Sequence, residues 1–359
     1  MQTEHAGEAL ALRESVGRFL AERAPLAWVR ERWEHAAKID GRDDPVWRGL
    51  VALGLPGLLV PPSQDGVGCG MVEMGAVLEE MGRFAHASPF LGSAVGATAA
   101  ALALDAGELA ARLASGAAIA TLALEEPGAP FAAWRSPAAR VERELVSGRK
   151  VRVADAPSVD VFLVTAGDAV YQVERDAAGL AIDPERSIDG SRSSATVCFD
   201  RTPARRHGPI AALAPALDRL FAALAADGLG AAQAALDAAL AYARERRQFG
   251  VPIGTFQAVS HLLVDMLHAV ELGRGAVHHA LWALDAEPQG VAHRAALVAK
   301  AWASEAFPKV GADAIQVFGG IGFTWEHDAH LWYKRLLGLE LSLGGASACH
   351  DELAASGIG

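Results

Sequence analysis

Tyr242-Ala-Arg-Glu-Arg-Arg-Gln-Phe-Gly-Val-Pro-Ile-Gly-Thr-Phe-Gln-Ala-Val259 closes one long helical pattern, interrupts it with Gly250, Pro252 and Gly254, and opens another. Upstream, Leu229, Leu236 and Leu240 with bridging alanines recur at the spacing of a buried helical face. Downstream, Phe256, Val259, Leu262, Leu263, Met266 and Val270 do the same. The stretch between them gathers Arg244, Arg246, Arg247, Gln248, Phe249 and Gln257. Guanidinium groups form rigid forks on phosphate oxygens and an aromatic ring offers a flat face for stacking. The loop therefore suits a phosphate-bearing ligand with a ring system. The same arginines complement the dipole at a helix C-terminus, and residue type alone leaves both readings open.

Outward from this loop, helical patterns span 212–247, 256–285, 291–318 and 327–352, lengths that suit a four-helix bundle with antiparallel neighbours. Pro308 falls inside the third and predicts a kink or a boundary there. Residues 117–208 change character: Ala118-Ile-Ala-Thr-Leu-Ala-Leu124, Val159-Asp-Val-Phe-Leu-Val-Thr165 and similar short β-prone runs are punctuated by Ser147-Gly148 and Asp189-Gly190. Arg201-Thr-Pro-Ala-Arg-Arg206 is expected to lead out of this region. The first 115 residues read as helices broken by Leu55-Pro-Gly-Leu-Leu-Val-Pro-Pro62. The expected organisation is mainly α: an N-terminal helical domain (1–115), a small β-domain of sandwich or barrel type (116–209) and a C-terminal four-helix bundle (210–359). Asp65-Gly-Val-Gly-Cys-Gly70 is glycine-rich but follows no strand of a βαβ unit, which makes it a weak phosphate cradle.

A net charge of −11 argues against nucleic acid as a partner, so any anionic ligand needs a local basic pocket. No apolar run reaches the ~18 residues of a membrane span, and the N-terminus, with Glu4, Glu8 and Glu14, lacks the pattern of a secretory signal. Three scattered cysteines (Cys69, Cys198, Cys349) form neither a disulfide framework nor a metal-ligand spacing, which points to a reducing, cytoplasmic setting. His327, Asp328 and His330 lack further ligands and read as a helix start, not a metal site.

A second segment, Gln316-Val-Phe-Gly-Gly-Ile-Gly-Phe-Thr-Trp-Glu-His-Asp328, combines with Arg246-Arg-Gln-Phe-Gly250 to resemble the acyl-CoA dehydrogenase family. These flavoproteins desaturate acyl thioesters between Cα and Cβ. The order Leu53-Gly, Pro56-Gly-Leu-Leu-Val-Pro, Gly66-Val-Gly and Glu79-Glu-Met-Gly-Arg83 is similar to the family's N-terminal domain. The resemblance implies FAD bound between subunits of a homo- or hetero-oligomer. It places Arg246 on a phosphate oxygen, Gln248, Phe249 and Gln257 around the adenosine side, and Gln316 with Gly319-Gly320 against the adjacent chain's cofactor. The glycines also read as a helix stop.

The flavin-ring end departs from the family pattern. A Thr-Glu-Pro-Gly-Ala-Gly-Ser-Asp loop is matched only by Glu125-Glu-Pro-Gly-Ala-Pro-Phe131, and a Trp-x-Thr pair is matched by Arg152 and Ala154. The family's usual catalytic glutamate falls at Leu343 and its alternative position near Leu220-Phe221, neither of which can take a proton. Remaining candidates for the base are Asp218, Asp227 and Glu340; Asp227 stands in an apolar stretch where burial would raise a carboxyl pKa. The pattern favours a catalytically silent subunit supplying the FAD-adenosine side to a related catalytic chain in an acyl-CoA-desaturating oligomer. The alternatives are a self-sufficient dehydrogenase with a displaced base, or a flavin oxidase or monooxygenase on the same fold.

Overall fold

In the computed structural model, which describes residues 2–33 and 41–357, helices come first: α1 (Gln2–Arg23), α2 (Leu26–Trp33), α3 (Pro45–Ala52), α4 (Met71–Arg83), a π-helical segment (Leu91–Ala97), α5 (Thr98–Ala103) and α6 (Gly107–Ala114). Eight strands follow: β1 (Ala120–Ala123), β2 (Arg140–Glu142), β3 (Leu145–Ala154), β4 (Val161–Ala166), β5 (Ala169–Glu174), β6 (Leu180–Glu185), β7 (Ser194–Pro203) and β8 (Arg205–Pro209). Helix α7 (Ala214–Glu245) leads through a short hairpin, β9 (Arg247–Gln248) and β10 (Val251–Pro252), into α8 (Gln257–Ala286), α9 (Gln289–Phe318), α10 (Ala329–Leu341) and α11 (Gly345–Ala355). The fold is mainly helical with a small β region.

One compact unit comprises Met1–Arg30, Gly75–His86 and Phe221–Gly359. Its centre is Phe307 of α9, fully buried, whose ring lies against Gly273 of α8 and Gly228 of α7. A Cβ at Gly273 would come within 2.5 Å of that ring, so glycine is what lets the bundle close around a phenylalanine. Helices α4 and α7 approach backbone to backbone: a Cβ on Gly82 would sit 1.8 Å from the Asp227 carbonyl oxygen, and one on Gly230 would sit 1.8 Å from that of Glu79. Two expectations change here. Pro308 does not end α9, which runs through it and buries it. The fourth helical pattern is broken, because Leu343 takes a left-handed conformation (φ 52°, ψ 46°) and Gly344 and Gly345 follow with positive φ.

Lys300 of α9 is fully buried, its Nζ donating to Ser304 Oγ (2.7 Å) and to the Leu339 carbonyl (3.1 Å) in the last turn of α10. Burial pulls its pKa down from the ordinary 10.5 to about 8 and pushes the nearby Cys349 thiol up to about 11. The unfolded chain therefore binds more protons than the folded one between these two lysine values, so this group's contribution to stability rises with pH across that window. Wild type should gain about 2 kcal/mol relative to Lys300→Met between pH 7.5 and pH 10. Urea midpoints of the two proteins at both pH values measure this difference.

The other unit comprises Glu31–Met74 and Ala87–Leu220. It holds two four-stranded sheets, ordered β1-β4-β5-β8 and β2-β3-β7-β6. β1 pairs with β4 in parallel, and the remaining pairings are antiparallel. β4 is buried along its whole length: Val161–Val164 are apolar, and the hydroxyl of Thr165 accepts from Lys150 Nζ (3.1 Å). Arg201–Arg206 does not lead out of the sheet region: Arg201–Pro203 end β7, and Arg205 and Arg206 open β8, which pairs with β5. The glycine-rich loop is closed on itself. Gly66, Val67, Gly68 and Cys69 donate their N–H groups to the carbonyls of Pro61, Gly57, Val60 and Leu58, so these amides are already committed within the loop.

Candidate functional site

Arg246 follows directly on α7, and its carbonyl accepts the amide of Ile253, closing the hairpin. Gln248 pairs with Val251, leaving Phe249-Gly250 as a two-residue turn with both φ positive (52° and 84°). Glycine adopts that conformation freely, whereas a phenylalanine in it is strained. Phe249 stands at the tip, 93% exposed, touching only Phe256 edge-on at 6.1 Å among the ring contacts of the described residues. Arg246, Arg247, Gln248 and Gln257 are exposed beside it.

The second motif arrives at the same end of the bundle. Phe318, the last residue of α9, packs on Tyr242 of α7 with ring centroids 5.0 Å apart. Gly319 caps α9 with φ 64° and ψ −140°, its amide returning to Ile315 and Gln316. No atom lies within 4 Å of where a Cβ would stand on Gly319 or Gly320. Space around Gly320 is thus not consumed by this unit's own packing. Gln316 is exposed on the same end, with Phe323 (79% exposed) and Trp325 (53%) on the following turn. The Tyr242–Phe318 contact sets the end of α7, from which the hairpin departs, beside the end of α9, where Gly319 and Gly320 follow.

The ring-side positions lie in the sheet unit, where Glu125 and Arg152 meet. Glu125 follows β1, and its carbonyl accepts the Val151 amide (2.9 Å). Its carboxylate, 9% exposed, accepts from Arg152 Nε at 3.1 Å and from Nη2 at 2.5 Å, both on Oε2. Glu125 and Glu126 lie just past the end of β1. Glu126 turns instead onto the fully buried Lys150 Nζ (2.8 Å) and the amides of Ala138 and Ala139. Lys150 and Arg152, two residues apart, would share a face in a regular strand. A bulge between Lys150 and Val153, with Arg152 at φ 51°, separates them so that each cation reaches its own acid. A non-glycine residue in that region costs about 1–2 kcal/mol, so the arrangement is held by the surrounding structure. The sequence shows Arg152 and Glu125 only as two separate departures, since only the bulge puts them opposite each other.

The candidate bases are not brought together as a set. Asp227, 3% exposed, is not the isolated acid its apolar neighbours suggested: Arg335 of α10 forks onto it, Nε to Oδ2 at 2.9 Å and Nη2 to Oδ1 at 2.6 Å. Arg335 also donates to the His86 carbonyl (3.2 Å), and Trp332 donates to that of Arg83 (2.9 Å). The pair therefore ties α7 and α10 together with the end of α4. Asp218 is buried nine positions earlier on α7, and Glu340 is exposed near the end of α10. Leu343 occupies the strained turn between α10 and α11, and Leu220 and Phe221 are buried. Among the described residues no group of three or more acids, histidines or cysteines could hold a metal, and His327 Nδ1 accepts the Ala329 amide at the start of α10.

Residues 6–112 match the family described as acyl-CoA dehydrogenase, N-terminal domain, and residues 213–358 match acyl-CoA dehydrogenase, C-terminal domain. Acyl-CoA dehydrogenase IpdE2 of Mycolicibacterium smegmatis is 30% identical over 334 residues, 93% of each protein. The chain belongs to the acyl-CoA dehydrogenase family. Members are FAD-dependent oxidoreductases that act on acyl-CoA, and that is the activity class of this chain. Among solved structures, the Tcur3481-Tcur3483 steroid ACAD matches with a TM-score of 0.87 and 30% identity over 98% of both chains. The ChsE4-ChsE5 complex from Mycobacterium tuberculosis matches with a TM-score of 0.85 and 26% identity, over 97% of this chain and 96% of that one.

Measured against the FAD of an acyl-CoA dehydrogenase, the two ends of the chain differ. The adenosine end fits: exposed guanidinium groups, an exposed ring and open space at Gly320 suit an anion with a flat base. The ring end does not fit, because an internally satisfied ion pair stands at the positions where the family places a hydroxyl and an indole.

Proposed function

We propose that this chain is the non-catalytic, FAD-adenosine-side subunit of a heteromeric acyl-CoA dehydrogenase, whose assembly desaturates an acyl-CoA thioester between Cα and Cβ. The Glu125–Arg152 pair carries this reading, since it uses the flavin-ring positions for the chain's own electrostatics. Desaturation needs a carboxylate to remove the α-proton. Leucine occupies the usual position of that group, the alternative position is apolar, and Asp227 is engaged by Arg335 on both oxygens. On this reading Arg246 neutralises pyrophosphate, Gln248, Phe249 and Gln257 receive the adenosine, and Gln316 with Gly319-Gly320 meets the cofactor held by a related catalytic chain. FAD, where the partner binds it, accepts the hydride. Two similar structures named for a pair of proteins, Tcur3481-Tcur3483 and ChsE4-ChsE5, support a paired assembly. The steroid wording of the first supports a bulky, ring-bearing acyl-CoA as substrate class.

The test is the visible spectrum and mass of the chain purified alone and then with its catalytic partner, each challenged with acyl-CoAs. Alone, it should carry well under one FAD per chain and show no bleaching. Co-purified, the complex should hold about one FAD per two chains and bleach. A yellow homo-oligomer with one FAD per chain that bleaches would overturn the proposal and return Asp218 and Glu340 to consideration as bases.

A further inference from the structure

Arg246 and Arg247 are neighbours, both exposed, and their guanidinium groups are differently engaged. We propose, resting on the adenosine-side reading, that Arg247 is a positioning residue. Its guanidinium clips the tip of the hairpin and holds the Phe249 ring where the adenine of the nucleotide meets it. Setting the ring and meeting the phosphate are then the work of two different arginines.

Arg247 Nη2 donates to the Gly250 carbonyl at 3.2 Å, three residues ahead and inside the turn. Arg246 makes no such commitment. Among the described residues its guanidinium has no acceptor in the chain, which leaves the whole fork for an anion. The turn has need of a clip. Its ladder is two pairs long, Gln248 with Val251 and Arg247 with Pro252, and a hairpin of that length holds itself weakly. Its first turn residue is also a poor one for the conformation: Phe249 sits at φ 52°, where asparagine or glycine is favoured. Left alone, a strained and 93% exposed phenylalanine relaxes toward other backbone states. Two contacts oppose this. Phe256, at the start of α8, meets the Phe249 ring edge-on at 6.1 Å, and the Arg247 clip fixes the carbonyl of the residue that follows the ring. All of these residues belong to the unit that holds Phe221–Gly359. A ring fixed in advance loses less freedom when a flat base stacks on it. The clip therefore acts through Phe249 and not on the phosphate.

A fluorine label on the ring tests the clip without any nucleotide. In the purified chain, para-fluorophenylalanine at position 249 should give one resonance displaced from its position in the urea-unfolded chain. Phe256→Leu shows how much of that displacement the neighbouring ring supplies. In Arg247→Ala the resonance should sharpen and move most of the way to the unfolded position. Calorimetric titration of the flavin-free complex with its catalytic partner then separates the two arginines. Arg247→Ala should weaken ADP and adenosine by the same factor, about three- to tenfold. Arg246→Ala should weaken ADP by about tenfold or more and leave adenosine within about twofold. Both side chains are exposed, so the bundle folds without either. A resonance that Arg247→Ala does not move, or one already at the unfolded position in wild type, would overturn the clip and leave the adenosine-side reading standing. Arg247→Ala that weakens ADP but not adenosine would also overturn it, making Arg247 a phosphate contact. Arg246→Ala with ADP unchanged would overturn the adenosine-side reading, while the fluorine spectrum still decides the clip.

Discussion

Asp227→Ala should destabilise the protein by about 3–5 kcal/mol, the range for removing one member of a buried ion pair. Both side chains of the Asp227–Arg335 pair are 4% exposed, and the fork uses both carboxylate oxygens. Without Asp227, the guanidinium, which also donates to the His86 carbonyl, loses its two-pronged counter-charge and must remain charged in a dry environment. Removing both members together behaves differently, because two apolar groups of similar volume leave no stranded charge. Asp227→Leu with Arg335→Met should recover most of the loss, and the double-mutant cycle isolates the pair's coupling. Urea unfolding followed by circular dichroism measures all three variants. A loss below about 1 kcal/mol for Asp227→Ala would remove the ion pair from the account of the fold. Stability intact with turnover abolished would instead mark Asp227 as the proton acceptor.

Gly230→Ala has the next largest expected effect, and two opposing terms set its sign. Alanine within a helix is favoured over glycine by about 1 kcal/mol. Against this, the new methyl would stand 1.8 Å from the Glu79 carbonyl oxygen, which is backbone and cannot rotate aside. Relief requires α4 and α7 to separate. That costs the upper end of the overpacking range, about 3 kcal/mol or more, so the clash prevails by about 2 kcal/mol. Gly275→Ala is the control, since nothing lies within 4 Å of its Cβ position on α8. There only the propensity gain remains, and the midpoint should rise by up to about 1 kcal/mol.

Much of the fold was legible because helices with a buried apolar stripe announce themselves by period. The long patterns correspond to α7, α8 and α9 within a few residues. What failed were features settled by non-local contact or by single backbone conformations. Arg201–Arg206 looks like a basic exit segment, yet pairing within the sheets makes it the end of β7 and the start of β8. The last helical pattern looks continuous, and only the left-handed turn at Leu343 splits it. The residues proposed for the adenosine side could be read because two contiguous motifs carry them, and the ends of α7 and α9 that bear these motifs meet at Tyr242 and Phe318. The acids were harder to read. Asp227 and Arg335 are far apart in sequence, and nothing local to either shows that they share a buried fork. Glu125 and Arg152 were both visible as departures, but their pairing depends on a bulge that no periodicity encodes.

That bulge also shapes how the chain can change over generations. If Glu125 alone reverts to a hydroxyl residue, Arg152 is left in a costly backbone conformation without its counter-charge. If Arg152 alone reverts to an aromatic, a carboxylate nine-tenths hidden loses its donor. Each single replacement is unfavourable, and only the two together remove the pair without stranding a charge. Selection acts on one substitution at a time, so the exchange works as a ratchet. The bulge thus binds two residues 27 positions apart into one unit of change.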